Sequence, residues 1–252
     1  MHEDAIVQLA TKVVVKKTKK DSTKVQKQIQ KNIQKKKYFT ISKDKLVSIA
    51  VNKEKKSKNK AQNMTKQQFG DFCEKNMVDI SGNGAEKFTA VDAFESTGFS
   101  DAVLSATKRF STPTPIQAVC WPIISSNRDV VGVAETGSGK TLAFFLPALA
   151  AEQARPSKSK GLRILILEPT RELAMQTEEV CSQAGSTCGI TSVCLYGGVP
   201  KPPQIKALAA GAAVAVATPG RLLDLSNEGS ASLSGISYLV LDEVSKKFSS
   251  LR

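Results

Sequence analysis

The eight residues Ala134-Glu135-Thr136-Gly137-Ser138-Gly139-Lys140-Thr141 restrict the fold more than any other stretch of this chain. They follow the apolar run Asp129-Val-Val-Gly-Val-Ala134 and lead into an apolar segment of helical spacing, 140–151. A strand that ends in a glycine-rich turn and runs directly into a helix is the geometry of a phosphate-binding loop. Gly137 and Gly139 can take backbone angles closed to other residues, so their amides can approach phosphate oxygens. The helix N-terminus adds partial positive charge at the same point. Lys140 can reach β- and γ-phosphates, the Thr141 hydroxyl suits Mg²⁺, and Thr136 and Ser138 complete the cradle. The general pattern asks for glycine five residues before Gly139, where this chain has Ala134. The competing reading is a glycine-rich turn that happens to carry a lysine. Strand, glycines, Gly-Lys-Thr and helix in that order argue against it.

The text around the loop alternates between two patterns. Short apolar runs at Asp129–Ala134, Leu162–Leu167, Ser192–Tyr196, Ala213–Ala217 and Tyr238–Leu241 read as buried strands. Helix candidates at 101–109, 115–124, 140–151, 171–184, 202–210 and 220–227 lie between them. Alternating strands and helices predict an α/β fold, a parallel sheet with helices on both faces. The glycine-lysine loop makes it a P-loop sheet.

Charge divides the chain differently. The formal net charge is +13, and all of the excess sits before residue 63. Residues 1–62 are rich in Lys, Gln, Asn and Ser and too poor in apolar residues to bury a core, so they are expected to be a disordered basic tail. Residues 22–37 could form a transient helix. Such a polybasic segment suits polyanions, chiefly nucleic acid, although it serves equally well as a solvated tail without a specific partner. Its lysine clusters match the composition of nuclear-localisation signals. Residues 63–100, with isolated phenylalanines between turn-formers, form an extension leading into the folded body at 101–243, and 244–252 read as a separate tail.

Other chemistries are excluded. The five cysteines form no C-x-x-C pair, which disfavours disulfide and metal frameworks and fits reduced thiols. His2 is the only histidine, so histidine-assisted nucleophilic catalysis has no base. No apolar run approaches the roughly 20 residues needed to span a bilayer, so no membrane partner is expected.

A second acidic site complements the loop. Asp242-Glu243 ends the run Tyr238-Leu-Val-Leu241. An aspartate there can hold the Mg²⁺ water shell, and a neighbouring glutamate can orient the attacking water. An acidic pair at a strand end is more often a solvated cap, but about a hundred residues after a phosphate loop it becomes a catalytic candidate.

Beyond these generic features, Ala134–Thr141 resembles the DEAD-box helicase form of the loop, in which alanine replaces the first glycine. Pro169-Thr-Arg-Glu-Leu-Ala174, Gly197-Gly198 and Thr218-Pro-Gly-Arg221 resemble the next three motifs of that family, in order. Arg109-Phe-Ser-Thr-Pro-Thr-Pro-Ile-Gln117 resembles the glutamine motif that precedes the loop. The resemblance covers about residues 85–243 and implies the first RecA-like domain of an ATP-dependent RNA helicase that uses ATP and Mg²⁺. It assigns phosphate binding to Thr136, Gly137, Ser138, Gly139, Lys140 and Thr141, catalysis to Lys140, Asp242 and Glu243, and Mg²⁺ to Thr141 and, through water, Asp242. Gln117 would read adenine, because an amide both donates and accepts. Phe94 would stack on the base, with Phe88 as the other choice. Thr170, Arg171, Gly198, Thr218, Gly220 and Arg221 would contact the RNA backbone, giving nonspecific, salt-dependent binding. The segments Gln117–Pro122 and Val130–Thr136 look most like the nucleolar, ribosome-assembly branch, which implies pre-ribosomal particles as partners and a nuclear, nucleolar location.

After Glu243 the family expects Ala-Asp, whereas this chain has Val244-Ser245 and continues to Arg252. The sheet is therefore expected to be incomplete. The resemblance places a further strand between the loop strand and the Asp242 strand, and without it both would have unpaired inner edges. Low stability and little unwinding activity are the expectation. The alternative function is a non-catalytic RNA-binding fragment, and an unrelated P-loop enzyme is a third reading.

Overall fold

The computed structural model describes residues 63–155 and 161–243 together with the backbone of Thr11–Lys17. Six strands form one sheet: β1 Thr11–Lys17, β2 Val130–Ala134, β3 Ile164–Leu167, β4 Ser192–Leu195, β5 Val214–Ala217 and β6 Tyr238–Leu241. Among the described residues seven α-helices accompany them: α1 Lys66–Asn76, α2 Asp101–Leu104, α3 Pro115–Ser125, α4 Lys140–Gln153, α5 Arg171–Ser186, α6 Pro202–Ala209 and α7 Pro219–Asn227. The strand order is β2-β1-β6-β3-β5-β4. The expected strands and helices from 115 onward all form, most within two residues of their predicted ends. The helix expected at 101–109 is shorter, passing after Leu104 into a 3₁₀ turn at Ser105–Thr107.

Strands β2 to β6 run parallel, because β3 pairs parallel with β5 and β6, β4 with β5, and both β2 and β6 lie antiparallel to β1. Alternation along each strand separates two cores. Ile164, Ile166, Val214, Val216, Tyr238 and Val240 face α3, α4 and α5, with Trp121, Phe144 and Phe145 among the largest side chains. Leu165, Ala215, Ala217 and Leu239 face α6 and α7, where Leu222 and Leu225 are fully enclosed. This is a RecA-like α/β sheet with helices on both faces.

The extension at 63–100 is more ordered than its composition suggests. Thr65 caps α1 through a reciprocal box with Gln68. Asn63 bridges to Val91, and the Val91 amide donates to the Ala118 carbonyl at 3.1 Å, tying the extension to α3.

The larger difference from expectation is β1. It occupies the position between β2 and β6 where the sequence predicts an unfilled slot, so both strands have a neighbour there. Three consecutive β-branched residues, Val13-Val14-Val15, suit a strand flanked on both sides. The transient helix at 22–37 and the tail at 244–252 lie outside the described residues.

Candidate functional site

Strand register assembles the site. Leu167 lies level with Ala217 and Leu241, and Leu195 with Ala217, so the segments that follow them emerge along one carboxyl edge. Those segments are Glu168–Arg171, Thr218–Arg221, Tyr196–Gly198 and Asp242–Glu243. The loop after β2 belongs to the same edge, where parallel α/β sheets bind ligands.

In the loop, Gly137 and Gly139 both have φ of 83°, the left-handed conformation the sequence predicts for them. Gly139 is the N-cap of α4. The Lys140 side chain is buried, and its Nζ donates to the carbonyls of Ala134 at 2.9 Å and Glu135 at 2.5 Å. This holds the ammonium across the loop entrance. Glu135, Thr136 and Gly137 are exposed, while Ser138 and Thr141 are half-buried. The Ser138 hydroxyl oxygen is enclosed without a hydrogen-bond partner in the protein, which leaves it available to a ligand. The two left-handed glycines, the buried lysine and this hydroxyl fit a nucleotide polyphosphate.

Gln117 is also buried. Its Nε2 donates to the Gly139 carbonyl at 3.0 Å, and its Oε1 accepts from the Thr114 amide at 3.1 Å. The glutamine is thus a brace between the start of α3 and the phosphate loop. One N–H and one lone pair of its amide are not used by these two bonds. A Cβ added at Gly139 would stand 2.5 Å from Gln117 Nε2, so glycine there also admits the brace.

Phe94 does not lie open to a base. It is 6% exposed and packs on Trp121 with ring centroids 5.9 Å apart, within the core. Phe88 lies beneath Arg128, whose guanidinium carbon is 5.9 Å from its ring centroid. Among the described residues the exposed aromatic of the segment leading to Gln117 is Phe110, 44% exposed, with the Arg109 guanidinium carbon 4.9 Å from its ring centroid. Phe110 lies within the glutamine motif, where nothing in the sequence alone separates it from its neighbours except its place in the turn just before α3.

At the acidic end, the Asp242 amide donates to the Leu167 carbonyl at 3.0 Å, and the Glu243 amide donates to Asp242 Oδ1 at 2.8 Å. Glu243 has φ of 51°, an uncommon value for a residue with a side chain, two residues past the end of β6. A third carboxylate, absent from the expected site residues, stands nearby. Glu168, at the end of β3, is 1% exposed and accepts from Thr177 Oγ1 at 2.7 Å. Burial pushes its carboxyl up to about 8; Asp242 and Glu243 add to this, and the Thr177 hydrogen bond opposes it. Among the described residues no group of three His, Cys, Asp or Glu side chains could cage a metal ion. An ion here would share one or two protein oxygens with phosphates, as Mg²⁺ commonly does.

The predicted RNA contacts divide in two. Thr170 caps α5 by accepting from the Leu173 amide at 3.2 Å, and Arg171 is exposed beside it. A Cβ built on Gly198, whose φ is 85°, would lie 3.7 Å from Arg171 Nη1, so these two motifs adjoin. Thr218 stands at the N-cap position of α7 with its hydroxyl donating to the Leu195 carbonyl at 3.4 Å, and Gly220 is exposed. Arg221 differs from expectation. It is 9% exposed, and its Nη1 donates to Gln204 Oε1 at 3.1 Å and its Nη2 to the Val199 carbonyl at 2.8 Å. It holds the Gly197–Val199 loop against α6 and α7 and is not presented to solvent.

The thiols take no part. Burial pushes Cys120 and Cys194 up to about 12 and Cys181 well above its usual range, so they stay protonated. Among the described residues no helix is long and apolar enough to cross a membrane.

A parallel sheet carrying this loop and an acidic strand end on one edge defines a RecA-like P-loop nucleotide-binding domain. Comparison with known proteins narrows the class. The family model for DEAD/DEAH box helicases matches residues 114–250. The chain is 44% identical over 176 residues to DEAD-box ATP-dependent RNA helicase 5 of Oryza sativa subsp. japonica, covering 68% of this chain and 34% of that protein. It is 48% identical over 170 residues to ATP-dependent RNA helicase DBP3 of Mycosarcoma maydis, covering 62% and 29%. Among solved structures, the RNA helicase Prp28 from Chaetomium thermophilum bound to ADP superposes with a TM-score of 0.63 at 35% identity, covering 72% of this chain and 45% of that one. The chain belongs to the DEAD/DEAH box helicase family. It spans about a third of the length of these curated relatives, 34% and 29%.

Proposed function

We propose that the chain carries the ATP-binding and RNA-binding first half of an ATP-dependent RNA helicase. The observation that carries this reading is the meeting of four family motifs on one sheet edge, around a loop whose left-handed glycines and buried Lys140 fit a polyphosphate. Amides of the 135–139 loop and the N-terminus of α4 receive phosphate oxygens. Lys140, preplaced across the loop entrance, neutralises charge on the terminal phosphates. Thr141 and Asp242 supply the oxygens that would hold Mg²⁺, which when bound neutralises phosphate charge. Glu243 orients water on the phosphate side of β6. The remaining N–H and lone pair of Gln117 suit an adenine edge, and the open face of Phe110 suits the base plane.

RNA lies across Thr170, Arg171, Gly198, Thr218 and Gly220, with Arg221 acting from behind as a brace. Hydroxyls, a guanidinium and close-approach glycines bind backbone rather than base edges. We further propose pre-ribosomal RNA as the substrate and the nucleolus as the location. The lysine clusters before residue 63 and the resemblance of 117–122 and 130–136 to the ribosome-assembly branch support this.

The second reading is a non-catalytic RNA-binding protein, supported by the concentration of all excess positive charge before residue 63. Photocrosslinking of a uridine-rich single strand to the full chain separates the two. The helicase reading expects adducts on peptides holding Arg171, Gly198 and Gly220. Adducts confined to residues 1–62 would favour the second reading.

A further inference from the structure

Among the described strands, β2 is joined to the sheet through β1 alone. The strand that carries the phosphate loop therefore reaches the strand that carries Asp242 only through Thr11–Lys17. That segment is foreign to the sheet in two respects. It runs antiparallel to both neighbours, where β2 to β6 are mutually parallel. It also comes from a part of the chain separated from the folded body by residues 18–62, with their run of lysines.

The register shows how completely it fills the position. Thr11, Lys12, Val13, Val14 and Val15 stand opposite Ala134, Val133, Gly132, Val131 and Val130. On the other side Val14, Val15, Lys16 and Lys17 stand opposite Leu241, Val240, Leu239 and Tyr238. Val14 and Val15 are thus paired on both edges at once. A strand in this place sets β2 and β6 two strand spacings apart, about 10 Å. It also covers two rows of backbone amides and carbonyls that would otherwise face each other across a gap.

We propose that the slot between β2 and β6 is a strand-acceptor site, and that its occupant is the chain's own Thr11–Lys17, which completes the sheet by β-addition and fixes the position of the phosphate loop. The chemistry of the segment fits the slot. Three β-branched residues match a position flanked on both sides, and lysines at 12, 16 and 17 limit the apolar run to its centre. Joining through a long intervening segment costs little extra, because closure entropy grows only with the logarithm of length. The pairing goes beyond the nucleotide-binding reading and does not depend on it.

Two measurements on the full chain test it, and neither uses nucleotide or RNA. The first is cross-strand cysteine trapping. Val14→Cys with Val131→Cys places thiols on register partners, and Val131 is 52% exposed and so open to oxidant. Antiparallel partners lie within disulfide reach. An intramolecular disulfide between these two positions is expected on mild oxidation, and none in Lys16→Cys with Val133→Cys, which is out of register. The second is hydrogen exchange in Val14→Pro, which removes a ladder donor at the doubly paired position. Amides of Val130–Ala134 are expected to exchange about tenfold faster, the equivalent of one lost ladder bond. Exchange in β5, which does not touch β1, stays as it was. Adding a peptide of the sequence of residues 9–19 should restore protection, and the same peptide with proline at the Val14 position should not. The proposal stands only if trapping is intramolecular and in register and β2 exchange responds. Absence of either overturns it.

Discussion

Replacing Glu168 by glutamine gives a pH-dependent change in stability whose sign and size follow from the site. The carboxyl is buried at the end of β3, beside Asp242 and Glu243, and its folded-state pKa is raised from 4.5 to about 8. In the unfolded chain it returns to the ordinary carboxylate range. Between those values the folded state holds a proton that the unfolded state has released. Its contribution to stability is therefore complete below about pH 4.5 and is lost as pH rises toward 8, in steps of about tenfold in the unfolding equilibrium per pH unit. Between pH 4.5 and 7 the loss comes to roughly 3 kcal/mol, taken as an order of magnitude. Glutamine has the same shape and keeps an oxygen to accept from Thr177, but has no proton to lose. Urea unfolding can be followed through Trp121, the only tryptophan, which is 1% exposed. Glu168→Gln is expected to be more stable than the parent at pH 7.5 and to approach it near pH 5, because the difference contains only this group. Parallel stability curves across pH 5 to 8 would mean that Glu168 does not carry a raised pKa in the folded protein.

Other substitutions test other parts of the site. Gly139→Ala puts a Cβ 2.5 Å from Gln117 Nε2 at φ of 83°, so a loss of about 1–3 kcal/mol in urea unfolding is expected, together with weaker nucleotide binding. Arg221→Ala leaves Gln204 and the Val199 carbonyl without their shared donor; it should cost about 2–4 kcal/mol and weaken RNA binding in fluorescence anisotropy, although Arg221 itself is covered. Phe110→Ala removes an exposed ring, so stability should hold within about 0.5 kcal/mol. The same change should weaken ATP binding about tenfold in a competition titration, a loss within the range for one stacked base. In urea unfolding, by contrast, Phe94→Ala should lower the midpoint, because that ring belongs to the core.

The parallel strands and most helices were legible because each is bounded by its own punctuation. Gly-Lys-Thr opens α4, Thr170 caps α5, Thr218-Pro219 opens α7, and four-residue apolar runs mark β3, β5 and β6. The loop glycines were legible for the same reason, since their role is local backbone geometry. What could not be read was tertiary. Phe94 and Arg221 carry side chains suited to stacking and to phosphate, and only packing against Trp121, Gln204 and Val199 turns them inward. Glu168 reads as one more polar residue until the strand order brings Asp242 beside it. Thr11–Lys17 was hidden by its surroundings. Averaged over residues 1–62, lysine outweighs Val13-Val14-Val15, and only the slot between two distant strands gives that short run a place.

The central claim is that ATP binds at the loop headed by Lys140. Calorimetric titration of the full chain with Mg·ATP, beside Lys140→Ala, tests it most directly. Saturable binding to the parent is expected, with at least about a tenfold loss in the variant, since a charge-assisted contact to phosphate is worth roughly 1.5–3 kcal/mol; the urea midpoint of both confirms that each is folded. Equal affinity in two folded proteins would contradict it, and ATP would then be held somewhere other than this loop.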